Sequence, residues 1–121
     1  MSKMEKLSKR IQNVASGFLE LADNAEEKMD YLRLVCTAWN IANFDPPERF
    51  NKLQNYIIDF RSINNADPQA CKDLEEDMMR LINQKDILYP NDKRQIVDCQ
   101  TQVVNGQENI TIASHQISQP H

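Results

Sequence analysis

Three cysteines, two histidines and eighteen carboxylates are the groups of this 121-residue chain that could hold a metal, attack a substrate or carry a proton. A metal needs ligands that converge. Both histidines, His115 and His121, fall near the C-terminal end, and no Cys-x-x-Cys, His-x-x-x-His or Glu-x-x-His spacing is present. No metal and no other cofactor is expected. Cys71 falls in the first turn of a helix opened by Asp67-Pro68, where the helix dipole could lower a thiol pKa. It also continues that helix's apolar stripe, and no histidine stands near it in sequence, so it reads as a small core residue. Cys36 and Cys99 fall on faces expected to be buried and read the same way. Asp73, Glu75, Glu76 and Asp77 are dense enough for acid–base work by paired carboxylates. They lie off the apolar stripe of their helix, however, and read as a solvated face. The glycines are Gly17 and Gly106, which leaves no phosphate-cradling loop and no Gly-x-Ser-x-Gly elbow. With no reactive constellation, the chain is expected not to be an enzyme.

Two groups of residues remain as binding elements. The first is a polar strip on the second helix, Asp30, Arg33, Thr37 and Asn40. Arg33, Thr37 and Asn40 are the candidate ligand residues if the strip floors a groove and is not simply that helix's wet side. Tyr31, Trp39 and Tyr56 lie in helical phase nearby and read as core or core edge. The second is a C-terminal ribbon. Asn105-Gly106, flanked by alternating residues, is a strong two-residue hairpin signal. A two-residue turn sets Val104 opposite Gln107, Val103 opposite Glu108, Thr101 opposite Ile110, Cys99 opposite Ile112 and Val97 opposite Ser114. One face then carries Val97, Cys99, Thr101, Val103, Ile110 and Ile112. The other carries Asp98, Gln100, Gln102, Gln107, Asn109 and Thr111. An isolated hairpin is marginal in water, so the apolar face must rest on the helices. Its edges hold no proline and almost no charge, which leaves them poorly defended against another strand. Ile96, Asp98, Gln100, Gln102, Val104, Asn109 and Thr111 are the candidate interface.

Four helices must carry these elements. The first is expected over residues 3–22, with Met4, Leu7, Ile11, Val14, Phe18 and Leu21 on one stripe and Gly17 as an interruption. The second runs over 25–43 behind an Asp23-Asn24 cap. Leu32, Val35, Cys36, Trp39 and Ala42 line one side, widened by Tyr31, Leu34, Ala38 and Ile41, so it belongs at the centre. Asp45-Pro46-Pro47-Glu48 starts the third, which ends near Ile63 and turns Phe50, Leu53, Ile57 and Phe60 inward. Asp67-Pro68 starts the fourth, which ends near Lys85 with Cys71, Leu74, Met78, Leu81 and Ile82 inward. Tyr89-Pro90-Asn91-Asp92 is a turn cluster that separates helices from ribbon.

The length fits one domain, residues 1–121: a helical bundle over 3–85, the hairpin over 95–115 and a frayed tail over 116–121. A net charge of −4 argues against nucleic acid or an anionic membrane as partner. The basic cluster Lys3, Lys6, Lys9 and Arg10 reads as a solvated helix face. No apolar run is long enough to span a bilayer, and none follows the N-terminal lysines as a secretory signal would require. Reduced thiols in the cytoplasm are the expected state, and Asn109-Ile110-Thr111 is then a chance glycosylation pattern. The expected class is α+β, mostly helical, with four antiparallel helices and a C-terminal antiparallel β-hairpin. The expected function is a small non-enzymatic protein that works through protein–protein contacts, as a homodimer or an accessory subunit. A ligand-binding protein or enzyme built on the second-helix strip is the alternative. Another is an immunity- or antitoxin-type inhibitor presenting Glu26, Glu27, Asp73, Glu75, Glu76 and Asp77 as one acidic face.

Overall fold

The computed structural model describes residues 6–15, 17–105 and 107–116; beyond Cys99, side chains are described at Asn105, Ile110 and Ile112 to Ser114. The chain forms α1 (Leu7–Ala15), a short 3-10 helix (Phe18–Leu21), α2 (Ala25–Ala42), α3 (Pro46–Asn64), α4 (Pro68–Leu88), β1 (Arg94–Val104) and β2 (Gln107–Gln116). The two strands pair antiparallel as a two-stranded sheet. This is the expected α+β class.

The first expected helix is shorter than its stripe suggests. Its start at Lys3 and Met4 and residues 117–121 of the expected tail lie outside the described residues; Gln116, assigned to that tail, instead ends β2 opposite Arg94. Gly17 adopts φ 87°, a left-handed conformation that glycine takes without a Cβ clash. The α-helix ends before it, and the chain resumes as 3-10 turns. Leu7, Ile11 and Val14 are buried as the spacing requires, Phe18 packs its ring 5.0 Å from that of Tyr31, and Leu21 is exposed.

The α2 helix starts at a reciprocal cap. The Asn24 side chain accepts from the Glu27 amide (2.8 Å), and the Glu27 carboxylate accepts from the Asp23 amide (3.4 Å). Its widely apolar surface makes it the central element. Leu32, Val35, Ala38 and Trp39 are fully buried, and it touches α1, the 3-10 helix, α3, α4 and β1. Arg49 of α3 closes its C-terminal end by donating to the carbonyls of Ala42 and Phe44, and it also pairs with Asp86 of α4 (2.6 Å). A cation at a helix C-terminus is favourable, and here it ties three helices together.

That clamp explains a departure on α3. Leu53 and Ile57 are buried and Phe60 half-buried, but Phe50, expected inward, is 64 % exposed. Arg49 occupies the inward position one turn before Leu53, which leaves Phe50 rotated away beside Met79. Asp45 holds the N-cap position of α3 without a side-chain bond, whereas Asp67 caps α4 by accepting from the Ala70 amide (2.8 Å). The α4 helix continues one turn past its expected end. Leu74, Met78, Leu81 and Ile82 are buried, Cys71 is half-buried, and Lys85 is enclosed with the apolar residues.

The hairpin keeps the expected register from Val104↔Gln107 down to Cys99↔Ile112. Asn105 has φ 54°, as the first central residue of a type I′ turn requires. Below Cys99 the ladder changes. Asp98 pairs with Ala113 and Ile96 with Ser114, so Val97 is an extra residue, a β-bulge. The expected pair Val97–Ser114 does not form. Ile96 is turned into the core at 6 % exposure, and Val97 is 58 % exposed. Cys99 is buried and Ile110 and Ile112 are partly buried against the helices, so the ribbon rests on the bundle by its apolar face.

Candidate functional site

A group of polar side chains converges where α2, α4 and the foot of β1 meet. Asn40 projects from α2 toward the bulge. Its Nδ2 donates to the Ile96 carbonyl (2.8 Å) and its Oδ1 accepts from the Ile96 amide (2.7 Å). A carboxamide presents one donor and one acceptor side by side, as a peptide unit does. Asn40 therefore stands in for a neighbouring strand. The preceding residue, Trp39, through Nε1 (2.8 Å), and Asn43 one turn on, through Nδ2 (3.0 Å), both donate to the Arg94 carbonyl. The Arg94 amide donates to Asp92 Oδ1 (3.2 Å), and the Cys99 amide donates to Asp98 Oδ1 (2.9 Å). The outer edge of β1 is thus closed by side chains from Arg94 to Cys99.

Beneath this edge lies a buried ion cluster. Asp92, in the turn after α4, accepts from Arg94 Nη2 (2.6 Å) and Nε (2.9 Å) and from Arg10 Nη1 of α1 (3.0 Å). Burial opposes ionisation of this carboxyl. The hydrogen bonds from the Arg94 side chain and backbone, with the charges of Arg94 and Arg10, outweigh that and hold it below the usual carboxylate range. Arg10 also lies 4.7 Å over the Tyr89 ring, and the Tyr89 hydroxyl accepts from Asn13 (2.7 Å).

Lys85 has no exposed surface. Its ammonium donates to Asn43 Oδ1 (2.8 Å) and the Asp92 carbonyl (2.7 Å), and it lies 5.0 Å over the Trp39 ring. Burial, helped by the charge of Lys93, lowers its pKa from 10.5 to about 8 against the opposing pull of Asp92 and Asp86. An amine that titrates near neutrality is a candidate nucleophile or base. This one is enclosed and its donors are already directed at partners, so it is a structural cation. Sequence reasoning missed it, although the signal was present: Leu74, Met78, Leu81 and Lys85 continue one stripe at spacings of four, three and four.

The expected ligand strip is divided among other tasks. Asn40 is spent on Ile96. The Thr37 hydroxyl donates to the Arg33 carbonyl one turn back (2.8 Å), and Arg33 is exposed beside Asp30 at 3.8 Å. Arg33, Thr37 and Asn40 do share a cleft of about 280 Å³ with Cys36 and Ile96 to Cys99. Arg33 and Thr37 also border a larger, more apolar groove of about 620 Å³ against α3, lined by Ile41, Tyr56 and Phe60. Arg33 and Thr37 form the ridge between the two clefts. Trp39 is core and Tyr31 and Tyr56 are core edge. Cys36 and Cys99 meet across the α2–β1 contact, and burial, with their mutual hydrogen bond, pushes the Cys36 thiol up; burial does the same for Cys99. Such thiols are poor nucleophiles.

Glu75 accepts from Gln54 of α3 (3.4 Å), while Asp77 and Glu27 converge on Tyr31, whose phenol is raised first by burial and then by Glu27. Of the expected interface residues, Ile96 is buried with its backbone bound by Asn40, and Asp98 caps the neighbouring amide, so both belong to the closed part of the edge. The side chains of Gln100, Gln102, Val104, Asn109 and Thr111 lie outside the described residues. Comparison with known proteins finds no matching family model, no matching curated protein and no matching solved structure. No described helix is long and apolar enough to cross a membrane.

Proposed function

We propose that this chain is a non-enzymatic interaction protein of the cytoplasm that self-associates into a homodimer, with the hairpin as its seam. The observation that carries this reading is the unequal treatment of the ribbon's two edges. The outer edge of β1 is closed at its foot by Trp39, Asn40, Asn43, Asp92 and Asp98. Among the described residues, no group outside the hairpin bonds to Ile110, Ile112 or Ser114 of β2. An unpaired strand edge is a template for another chain, and proteins otherwise blunt it with proline, charge or cover. The foot of β1 shows such cover, whereas β2, which packs against α1, has no proline. The three free thiols, two of them buried side by side, agree with a reducing compartment. Light scattering on the full chain at micromolar concentration tests the reading. A dimer is expected, and a double change Asn109→Lys with Thr111→Lys should give a monomer with unchanged circular dichroism, because lysines on an edge strand repel a second copy. A monomeric native chain overturns the proposal.

A further inference from the structure

We infer that β2 pairs antiparallel with β2 of a second copy, across a two-fold axis at Thr111, to build a four-stranded sheet ordered β1-β2-β2-β1. This rests on the homodimer reading above and specifies its geometry. The register follows from the ladder. Ile96 bonds to Asn40 on the outer side of β1, so Ile96↔Ser114 is a pair whose backbone groups point away from one another. The N–H and C=O of Ser114 therefore face outward on β2. A two-residue loop makes Val104↔Gln107 a bonded pair, and alternation from there points the groups of Glu108, Ile110 and Ile112 outward too. Both counts agree: the outward residues of β2 are the even-numbered ones.

Two copies of β2 can bond only if outward residues face outward residues, so the numbers in each hydrogen-bonded pair must both be even. For Gln107–Gln116 the two registers that overlap best centre on Thr111 or on Ile112. Centring on Thr111 sets that residue opposite its own copy, and Thr–Thr is a favourable cross-strand pair. Asn109 then faces Ala113, and Ile110 faces Ile112. Charge does not oppose this arrangement. Glu108 falls opposite Ser114, six positions from the other Glu108, or roughly 20 Å along the strand at about 3.3 Å per residue. That separation exceeds the screening length of about 8 Å at physiological salt. The β1 edge offers no equivalent seam, because its foot is already bonded to the helices.

The test places single cysteines in a Cys71→Ser background, which removes the half-buried thiol and leaves Cys36 and Cys99 in the core. Thr111→Cys should cross-link with oxidised glutathione as oxidant: one thiolate breaks the glutathione S–S bond, forming a mixed disulfide and releasing one reduced glutathione, and the facing thiolate displaces the second, so that an S–S bond joins the copies. Held in one complex, the facing thiols meet at millimolar effective concentration, so at micromolar protein the link forms about a thousandfold faster than by collision of monomers. Val97→Cys, exposed at the foot of β1, is the control and should not link faster than collision. On the unmodified chain, dilution through the dissociation range should raise amide exchange at Ile110, Ile112 and Ser114 and leave Ile96 unchanged. A dimer by light scattering in which Thr111→Cys links no faster than Val97→Cys overturns the inference and spares the homodimer. Preferential linking of Thr111→Cys to Ala113→Cys overturns the axis at Thr111. A monomer overturns both.

Discussion

Asn40 and Ile96 are joined by the same two hydrogen bonds that a strand residue would exchange with an antiparallel neighbour. One side chain of α2 therefore ends the sheet on that side and fixes the level at which the ribbon meets the bundle. Replacing Asn40 by Ala strips partners from a half-buried amide and carbonyl. It should cost about 3 kcal/mol in urea unfolding, since each unsatisfied group costs about 1–3 kcal/mol. Amide exchange should rise first at Ile96. Loss of stability without faster exchange at Ile96 would assign Asn40 a different role.

The bulge predicts opposite outcomes at neighbouring positions. Ile96→Ala removes a buried side chain and should cost about 2–5 kcal/mol. Val97→Thr changes an exposed one and should stay within about 0.5 kcal/mol of the native chain. A regular ladder would reverse the ranking.

Asp92→Asn should destabilise the protein at neutral pH by about 3–5 kcal/mol, because it leaves Arg10 and Arg94 beside an uncharged group in a buried site. The folded pKa of Asp92 is depressed. Its stabilisation is thus fully present above the unfolded value near 4 and is lost as pH falls through the folded value. The native chain and the variant should converge in stability in strong acid, and a constant gap down to low pH would contradict the ion cluster.

Lys85 works with the opposite sign. Its folded pKa of about 8 lies below the unfolded 10.5, so the unfolded chain holds more protons between these values. Stability from this group alone should rise with pH across that window, by on the order of 3 kcal/mol. Cys36, Cys99 and Tyr56 are raised and pull the other way at alkaline pH. The difference between native chain and Lys85→Met isolates the lysine: it should grow in the native chain's favour from pH 8 upward.

Trp39 is the lone tryptophan, fully buried, and bonded to the Arg94 carbonyl. Its emission should be blue-shifted in the native state. It should move to the red when Asn40→Ala or mild urea loosens the foot of the ribbon, ahead of helix loss by circular dichroism. Coincident transitions would show that ribbon and bundle melt as one unit.

Periodicity made the elements legible. The stripes Leu32–Val35–Trp39 and Leu74–Met78–Leu81 named much of the core, and Asn105-Gly106 set the upper register of the hairpin correctly. What stayed hidden depended on contacts distant in sequence. Nothing local to Val97 announces a bulge; it follows from Asn40, 56 positions away, claiming the Ile96 backbone. Phe50 looked like core because the inward place taken by Arg49 is set by Asp86 and the end of α2. Gly17 was visible as a weak point, but the break required knowing that its φ is positive. The strip Arg33, Thr37 and Asn40 was real as a row, and only the position of β1 showed that its members serve different neighbours.

Because Val97 is a single extra residue, the ribbon obeys a counting rule at one end and not at the other. Deleting it would realign the strands and roll Arg94, Gln95 and Ile96 over, detaching the foot from its anchors. Between Val104 and Gln107 no such bookkeeping applies, so added sequence there lengthens the tip and leaves the anchor untouched. A peptide epitope or a fluorophore grafted at that turn would ride on the far end of a strut whose base is fixed.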